Sequence, residues 1–228
     1  MTENETADVD FVDWTPARVP IAGPIVGDRV RLEPLRARTH AAELYASAHG
    51  PGADPELWRF LPNEPFAEEG SLRAWAAAQE GTSDPLFFAI VDTAARRAAG
   101  VASYLRIEPA HGSIEIGHIW FGHQLQRTPQ ATEAIYLLLR EAFDVLGYRR
   151  VEWKCNAANV RSRRAAVRFG FTPEGTFRQH MIVKGRNRDT AWFSILDREW
   201  PTVRGAFEAW LAPENFDEAG RQRTPLRR

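Results

Sequence analysis

The stretch that decides the fold is IEIGHIWFGHQLQRTPQATEAIYLLLREAFDVL, residues 114–146. Its apolar first part, 114–121, predicts a strand, and the polar loop 122–128 leads from that strand into a helix over 129–146. Apolar residues recur in this helix at every third or fourth position, which indicates one buried stripe. The stripe consists of Ala131, Ala134, Ile135, Leu138, Leu139, Ala142, Val145 and Leu146.

The start of this helix is suited to binding an anion. Thr128 can accept a backbone N–H as the N-cap residue, and Pro129 needs no donor at the first helical position. The remaining free N–H groups lie at the positive end of the helix dipole and suit an anion such as a pyrophosphate. The alternative is an ordinary strand–helix unit whose helix end binds nothing.

Length and composition indicate one globular domain. The chain has 228 residues, 44% of them hydrophobic, which is enough for a full core. The net charge of −1 gives no general attraction to nucleic acid or to an anionic membrane. The single cysteine, Cys155, excludes an intrachain disulfide and fits a reducing compartment. The acidic N-terminus has no apolar segment typical of a signal peptide, so we expect a cytoplasmic protein.

Three segments are predicted along the chain. Residues 1–24 are acidic and then rich in proline, and they form an extension that lies over the surface or is partly disordered, with Phe11 and Trp14 as anchor candidates. The main domain covers 25–211. Residues 212–228 form a polar tail with a basic end.

The secondary structure predicts an α/β fold with one mixed sheet and helices on both of its faces. Strands are predicted from residue 29 and at 86–91, 100–107, 114–121, 150–155, 176–183 and 190–196. Helices are predicted at 37–49, 67–79, 129–146, 159–169 and 198–211. An antiparallel meander leads into a parallel pair of strands through the helix at 129–146.

Four short motifs resemble the GNAT superfamily of acetyl-CoA-dependent N-acetyltransferases, and most of all its ribosomal-protein N-terminal acetyltransferase branch (the RimJ/RimL type). They are EIGHIW at 115–120, QRTPQATEA at 126–134, NVRS at 159–162 and RFGF at 168–171. The resemblance covers roughly residues 25–200. It implies a GNAT-like fold and the direct transfer of an acetyl group from acetyl-CoA to a primary amine.

The resemblance also implies how acetyl-CoA is held. The strand at 115–121 would splay from the strand at 150–155, and pantetheine amides would pair with the free strand edge. The pyrophosphate would lie on the N–H groups of the loop that precedes the helix. The cofactor-binding residues expected from this are Ile119, Trp120, Phe121, Gln126, Arg127, Thr128, Gln130, Ala131, Thr132, Asn159 and Arg164.

An arginine cluster offers further phosphate contacts. It consists of Arg149, Arg150, Arg161, Arg163, Arg164 and Arg168. The alternative is that the cluster forms a solvated face, which is the usual role of such a group of charges. Nucleic-acid binding through it is disfavoured by the neutral overall charge.

The loop departs from the family pattern at two positions. The family signature is Gln/Arg-x-x-Gly-x-Gly/Ala, but the segment that starts at Gln124 has Arg127 and Pro129 at the glycine positions. Glycine lets the backbone approach a phosphate closely, and proline lacks an N–H donor. These substitutions are the main argument for a rival hypothesis, a CoA-binding or interaction module without catalysis.

Two residues are predicted to be catalytic. The resemblance points to Ser162 as the acid that protonates the departing CoA thiolate, although a serine there could simply bond to a helix N–H. Glu115 is the candidate base, because desolvation on a central strand would raise its pKa. The alternative for Glu115 is a cross-strand partner of an arginine.

Other polar residues are expected to have structural roles. Strand alternation places His118 on the same face as Ile116 and Trp120, which favours a satisfied core histidine. Glu133 is expected to interact favourably with the helix dipole. Cys155 is predicted to be a buried, inert thiol, and no spacing of ligands suggests a metal.

The sequence leaves the acceptor open among a protein N-terminus, an amino acid and a small amine. The aromatic residues Trp58, Phe60, Tyr104 and Trp120 are candidates to line its pocket, and core packing is the alternative for each of them. We expect acetyl-CoA and the amine as partners, with a homodimer as a further candidate assembly and neither nucleic acid nor a membrane.

Overall fold

The structure, a computed structural model, describes residues 13–226 and has one mixed sheet with helices on both faces. The strands are β1 Ile25–Val26, β2 Val30–Pro34, β3 Leu86–Asp92, β4 Arg97–Glu108, β5 Ser113–Phe121, β6 Arg150–Asn156, β7 Thr172–Val183 and β8 Arg186–Leu196. The helices are α1 Ala37–His49, α2 Glu69–Gln79, α3 Pro129–Arg140, α4 Val160–Arg168 and α5 Trp200–Leu211. A π-helical turn, Glu141–Val145, continues α3, and a short 3-10 helix, Pro213–Asn215, follows α5.

The strand order is β1-β2-β3-β4-β5-β6-β8-β7. Neighbouring strands are antiparallel except β5 and β6, which run parallel because α3 crosses over between them. The predicted fold class is therefore confirmed, as is the meander that leads into a parallel pair. The sequence missed β1 and underestimated the lengths of β4, β7 and β8, and it extended α3 through the π-helical turn.

The sheet carries a hydrophobic core on each face. The back face is covered by α3, α4 and α5, and its core includes Ile135 and Phe207. The front face is covered by α1 and α2, and its core includes Leu44 and Leu72. Among the described residues, the front core takes strand residues from β3, β4 and β5 but none from β6, β7 or β8. The front face of those last three strands is therefore not part of this core.

The central helix α3 is buried on all sides. Residues 131–139 are all buried, because the sheet covers one side of the helix while α5 and the β1–β2 segment cover others. The Tyr136 hydroxyl donates to Glu208 of α5 at 2.9 Å. The prediction of a single buried stripe is wrong for this helix, and Val145, which was assigned to the stripe, is exposed.

Glu133 of α3 anchors the start of β2. Its carboxylate is buried, and Oε2 accepts hydrogen bonds from the backbone N–H groups of Arg29 at 2.6 Å and Val30 at 2.8 Å. The Arg29 guanidinium lies 3.5 Å from Oε1. The expected role at the helix dipole is therefore wrong, because Glu133 lies beyond the first turn of α3 and its carboxylate ties the helix to the sheet.

The two terminal segments pack on the domain as far as they are described. Trp14 donates from Nε1 to the carbonyl oxygen of Ala110 at 2.9 Å. At the other end, the Trp210 indole donates to Gln222 at 2.9 Å, and Leu226 is buried. Residues 1–12, with the anchor candidate Phe11, and residues 227–228 lie outside the described residues. Within 13–226, no helix is long and apolar enough to cross a membrane.

Removing the Glu133 carboxylate should destabilise the fold. Glu133→Ala leaves two buried N–H groups without an acceptor, so we expect a loss of about 3 kcal/mol in unfolding free energy, measured by urea denaturation. Glu69→Ala on α2 is the matched control, because it breaks an exposed glutamate–arginine pair and should lose less than about 1 kcal/mol. Equal losses in the two variants would contradict the anchoring role.

Candidate active site

Strands β5 and β6 pair over a short distance and then part. Their register has three positions, which end at the pair Glu115↔Glu152. Beyond this pair, β5 continues to Phe121 and β6 continues to Asn156 without pairing with each other. The resulting gap between 116–121 and 153–156, called the wedge below, is the splay that the family resemblance implied. The edge of β5 that faces the wedge has backbone groups free of strand partners.

A bulge in β5 resets the alternation of its side chains. The β4–β5 register shifts between Val101 and Ser103, and His118 has a φ of +48°. Ile116 therefore belongs to the back core while Trp120 belongs to the front core. The prediction of one shared face for Ile116, His118 and Trp120 is wrong, because a bulge adds one residue to the count.

His118 lies on the front face beside Phe87, with ring centroids 5.0 Å apart. Its Nδ1 is 2.8 Å from the Ser103 hydroxyl oxygen, and its Nε2 makes no hydrogen bond to any described residue. Burial lowers the pKa of His118, so the imidazole is neutral at pH 7. A neutral imidazole with one free nitrogen can accept a proton.

A cluster of charges occupies the point where the strands part. Lys154 Nζ lies 3.1 Å from Glu115 Oε2 and 2.6 Å from Glu152 Oε2, and it is 3.7 Å from the centre of the Trp192 ring. All three charged side chains are largely buried. The cluster continues outward, with Arg106 2.6 Å from Glu115 and Arg150 2.8 Å from Glu152.

Glu115 is a cross-strand partner of an arginine, one of the two alternatives that the sequence left open. It pairs with Arg106 across the β4–β5 ladder, yet both of its cationic partners contact Oε2, and Oε1 has no partner among residues 13–226. Burial raises the pKa of Glu115, although Lys154 and Arg106 oppose this. A Cβ at Gly117 would lie 3.3 Å from Oε1, so glycine leaves this oxygen room.

Ser162 lies in the first turn of α4, on the back-face side of β6. Its backbone N–H donates to Asn159 Oδ1 at 3.0 Å, so Asn159 caps the helix. The Trp153 indole donates to Ser162 Oγ, also at 3.0 Å. Because an indole N–H can only donate, the hydroxyl proton of Ser162 must point elsewhere. Beside it, burial raises the pKa of Cys155, as expected for an inert thiol.

The loop before α3 keeps a glycine-like backbone without glycine. Arg127 has a φ of +62°, in the left-handed region that favours glycine. The Thr128 hydroxyl donates to Leu125 O at 2.7 Å and accepts from Ala131 N at 3.3 Å. The N–H groups of Arg127 and Gln130 make no hydrogen bond to the described residues, so they remain available to an anion.

Several predicted cofactor residues are already engaged within the protein. The Gln126 side chain donates to Phe121 O at 3.0 Å, and the buried Thr132 hydroxyl accepts from Arg168 at 3.1 Å. Trp120 is buried in the front core, whereas Ile119 is partly buried against the back core. Only their backbone groups face the wedge edge. The exposed Arg164 forms no ion pair with residues 13–226.

The arginine cluster is mostly committed to internal contacts. Arg150 pairs with Glu152 and Glu174, Arg161 pairs with Asp54, and Arg168 stacks on Trp210. Of the aromatic candidates for the acceptor pocket, Trp58, Tyr104 and Trp120 are core residues, and Phe60 is half-buried beside Arg59.

Two contacts that the sequence did not indicate connect the elements at the front of the wedge. The β7–β8 turn reaches the loop between α1 and α2, where Lys184 Nζ lies 3.2 Å from Glu64 and donates to Trp58 O at 2.9 Å. Arg161 at the start of α4 pairs with Asp54 of the same loop. Within 13–226, no group of three His, Cys, Asp or Glu residues is placed to hold a metal.

Sequence comparison supplies the context for this site. Residues 29–172, more than half of the chain, match the family described as the acetyltransferase (GNAT) domain. A relative named "Putative ribosomal N-acetyltransferase YdaF", from Bacillus subtilis, is 31% identical over 101 residues, which are 44% of this chain and 55% of that protein. The chain therefore spans little more than half the length of that curated relative.

Solved structures give a more complete match. A GCN5-related N-acetyltransferase from Brucella melitensis has a TM-score of 0.91 at 50% sequence identity, over 94% of this chain and 96% of that one. A structure from Chromobacterium violaceum, described as "probable acetyltransferases (GNAT family)", has a TM-score of 0.77 at 43% identity, over 84% of this chain and 94% of that one.

The charge cluster predicts a pH-dependent stability effect. Burial raises the pKa of Glu152, but Lys154 and Arg150 outweigh it, so its pKa is lowered overall and its ionised form stabilises the fold. Lys154→Met removes this support and raises the pKa of both glutamates. A carboxyl whose folded-state pKa is raised destabilises the fold above its unfolded-state pKa, and acidification through the folded-state pKa relieves this.

We therefore expect Lys154→Met to lose about 3 kcal/mol of unfolding free energy at about pH 8 and clearly less at about pH 5, by urea denaturation. The double variant Lys154→Met/Glu152→Gln should recover part of the loss at the higher pH, because one of the two facing carboxylates is gone. A loss independent of pH would contradict the bridging role of Lys154.

Proposed function

The chain belongs to the GNAT acetyltransferase family; from this premise we propose that it uses acetyl-CoA and transfers the acetyl group directly to a primary amine bound at the wedge. The observation that carries the proposal is the parting of β5 and β6 directly after Glu115↔Glu152. This opening lies between a carboxylate on the front face and the Ser162 hydroxyl on the back-face side. The acceptor is a protein N-terminus, an amino acid or a small amine.

The residues present fit acetyl-CoA. The free edge of β5 at 119–121 would pair with the amides of the pantetheine arm, and the open N–H groups of Arg127 and Gln130 would meet its pyrophosphate. Thr128, Ala131 and Thr132 would hold the shape of this loop through their internal bonds. Acetyl-CoA supplies a thioester whose carbonyl carbon the amine attacks.

Ser162 is proposed to donate a proton to the CoA sulfur as the thiolate departs. Two contacts orient it for this role, since the Trp153 indole occupies one lone pair of Oγ and the Asn159 cap fixes the helix start. The hydroxyl proton is thereby left for another acceptor. Asn159 is thus a positioning residue as well as a candidate contact for the cofactor.

Glu115 is proposed to take the proton from the attacking amine through its free Oε1. Its raised pKa brings the carboxylate closer to the basicity needed near neutral pH. His118 is the second candidate, because its neutral ring has an unbonded Nε2 on the same face. A variant series at both positions would separate them, since the true base controls the acidic limb of the pH–rate profile.

The non-catalytic rival is weakened by the loop conformation. Arg127 adopts the backbone angle for which glycine is otherwise preferred, and Pro129 removes only one of the free N–H groups. The test is release of free CoA thiol, screened over amines, amino acids and N-terminal peptides. Turnover on one class would identify the acceptor, whereas acetyl-CoA binding without turnover on any of them would support the rival.

Ser162→Ala should lower kcat by a factor of roughly 10² and leave the dissociation constant of acetyl-CoA nearly unchanged, because only one hydroxyl is lost. The matched control is Ser71→Ala, which changes the same position in the first turn of α2, away from the wedge. Both variants should lose about 1 kcal/mol of stability. If Ser162→Ala keeps the wild-type kcat, as Ser71→Ala should, the acid role is refuted.

Arg127 should be under backbone strain that glycine relieves. Arg127→Gly and Arg127→Ala remove the same charge, yet the glycine variant should be more stable by about 1 kcal/mol, measured by urea denaturation. Both variants should lose acetyl-CoA affinity to the same extent, and this loss should be smaller at high salt. The size of the loss would measure the contribution of the guanidinium. Equal stability of the two variants would contradict the strained conformation.

A further inference from the structure

Arg188 stands out among the cations near the wedge. It lies on β8, two positions beyond the last β6–β8 pair, Asn156↔Thr190. Strand alternation places it on the same face as Thr190 and Trp192. That is the front face, because Trp192 covers the Lys154 ammonium there. Arg188 therefore lies where β6 has ended, toward the open end of the wedge.

Arg188 has no counter-ion in the described part of the chain. Its Nε is buried without a hydrogen-bond partner, and no carboxylate forms an ion pair with it. Arg106, Lys154 and Arg150, in contrast, each pair with a glutamate. Burial lowers the pKa of Arg188, and the nearby Cys155 thiol and Glu115 carboxylate oppose this effect. A half-buried guanidinium loses hydration without gaining a partner, and a bound anion would restore one.

The surroundings of Arg188 belong to the acceptor side of the wedge. Trp192 Nε1 is also buried and has no hydrogen-bond partner among the described residues. The Trp192 ring packs on Phe177, with ring centroids 4.7 Å apart, and lies near His180, at 6.0 Å. These side chains form an aromatic wall between β7 and β8. The predicted cofactor contacts lie on β5 at 119–121, on the loop before α3 and at the start of α4, and none of them is on β7 or β8.

We propose that Arg188 binds an anionic oxygen group, a carboxylate or a phosphate, on the acceptor amine. This rests on the proposed function and narrows its substrate class to amines that carry such an anion close to the nitrogen. A guanidinium matches these groups because its planar fork can donate two parallel hydrogen bonds. Glu115 near the amine and Arg188 near the anion would then hold the acceptor at both of its ends.

The experiment compares acceptors in matched pairs with and without the anion. L-phenylalanine is paired with phenethylamine, and O-phosphoethanolamine is paired with ethanolamine, with CoA thiol release as the readout. We expect the wild type to prefer one anionic member, and the favoured pair distinguishes a carboxylate from a phosphate. Arg188→Met should raise KM for that member by roughly tenfold to a hundredfold and leave KM for the partner that lacks the anion unaffected.

Two further variants separate binding from structure. Arg186→Met removes an exposed charge from the same hairpin and should keep the preference. Arg188→Lys should restore part of the affinity for the anion, because the charge returns without the fork. A wild type that is indifferent to the anion, or an Arg188→Met variant that weakens both members equally, would overturn the inference.

A binding measurement tests the inference even when no turnover is observed. The same four amines are titrated by calorimetry into wild type and Arg188→Met, each saturated with CoA. Binding of an anionic amine that depends on Arg188, without turnover, would overturn direct transfer and uphold the anion site. Turnover that is independent of Arg188 would uphold direct transfer and overturn the anion site.

Discussion

The buried contact of Lys154 with two glutamates is the constraint on which the site depends. The parallel register of β5 and β6 brings Glu115 next to Glu152, and two ionised carboxylates at that distance would repel each other. Lys154 Nζ lies 3.1 Å from Glu115 Oε2 and 2.6 Å from Glu152 Oε2. Its positive charge offsets the repulsion between the two carboxylates at the point where the strands separate. The same ammonium holds the Trp192 ring, which connects the wedge to the β7–β8 hairpin. The wedge thus begins directly after the pair Glu115↔Glu152, and this starting point determines which residues of β5 and β6 line it.

Hydrophobic periodicity predicted most of the elements, with errors at β1 and at several element ends, but not the geometry between them. The helix at 37–49 and the strand predicted at 114–121 follow from local patterns, and the order of the elements predicted the meander and the parallel pair. Regular alternation failed at His118, because a bulge depends on the pairing with β4 and not on the β5 sequence alone. Glu133 was misassigned for a similar reason. Its partners, the N–H groups of Arg29 and Val30, are about a hundred residues distant in the chain and close only after folding.

The loop before α3 shows how a motif rule can fail while the physical requirement behind it is met. The glycine of the family pattern matters because it allows a positive φ near the phosphate. Arg127 reaches a φ of +62°, since the loop is held by the turn from Gly122 to Gln126 and by the Thr128 cap. The flanking hydrogen bonds impose the conformation, and the residue bears the strain. From the sequence alone, the substitution looked like a loss of function, whereas the backbone geometry argues for its retention.

The wedge also explains why the two proposed proton-transfer groups come from opposite sides of one sheet. Along β6, Trp153 and Cys155 face the back with Ser162, while Glu152 and Lys154 face the front with Glu115. In an unbroken sheet, backbone hydrogen bonds and packed side chains would separate these two environments. Opening the β5–β6 ladder removes that barrier over a few residues. An amine that approaches from the front can then lose its proton on one side, while the sulfur that leaves toward the back gains one on the other.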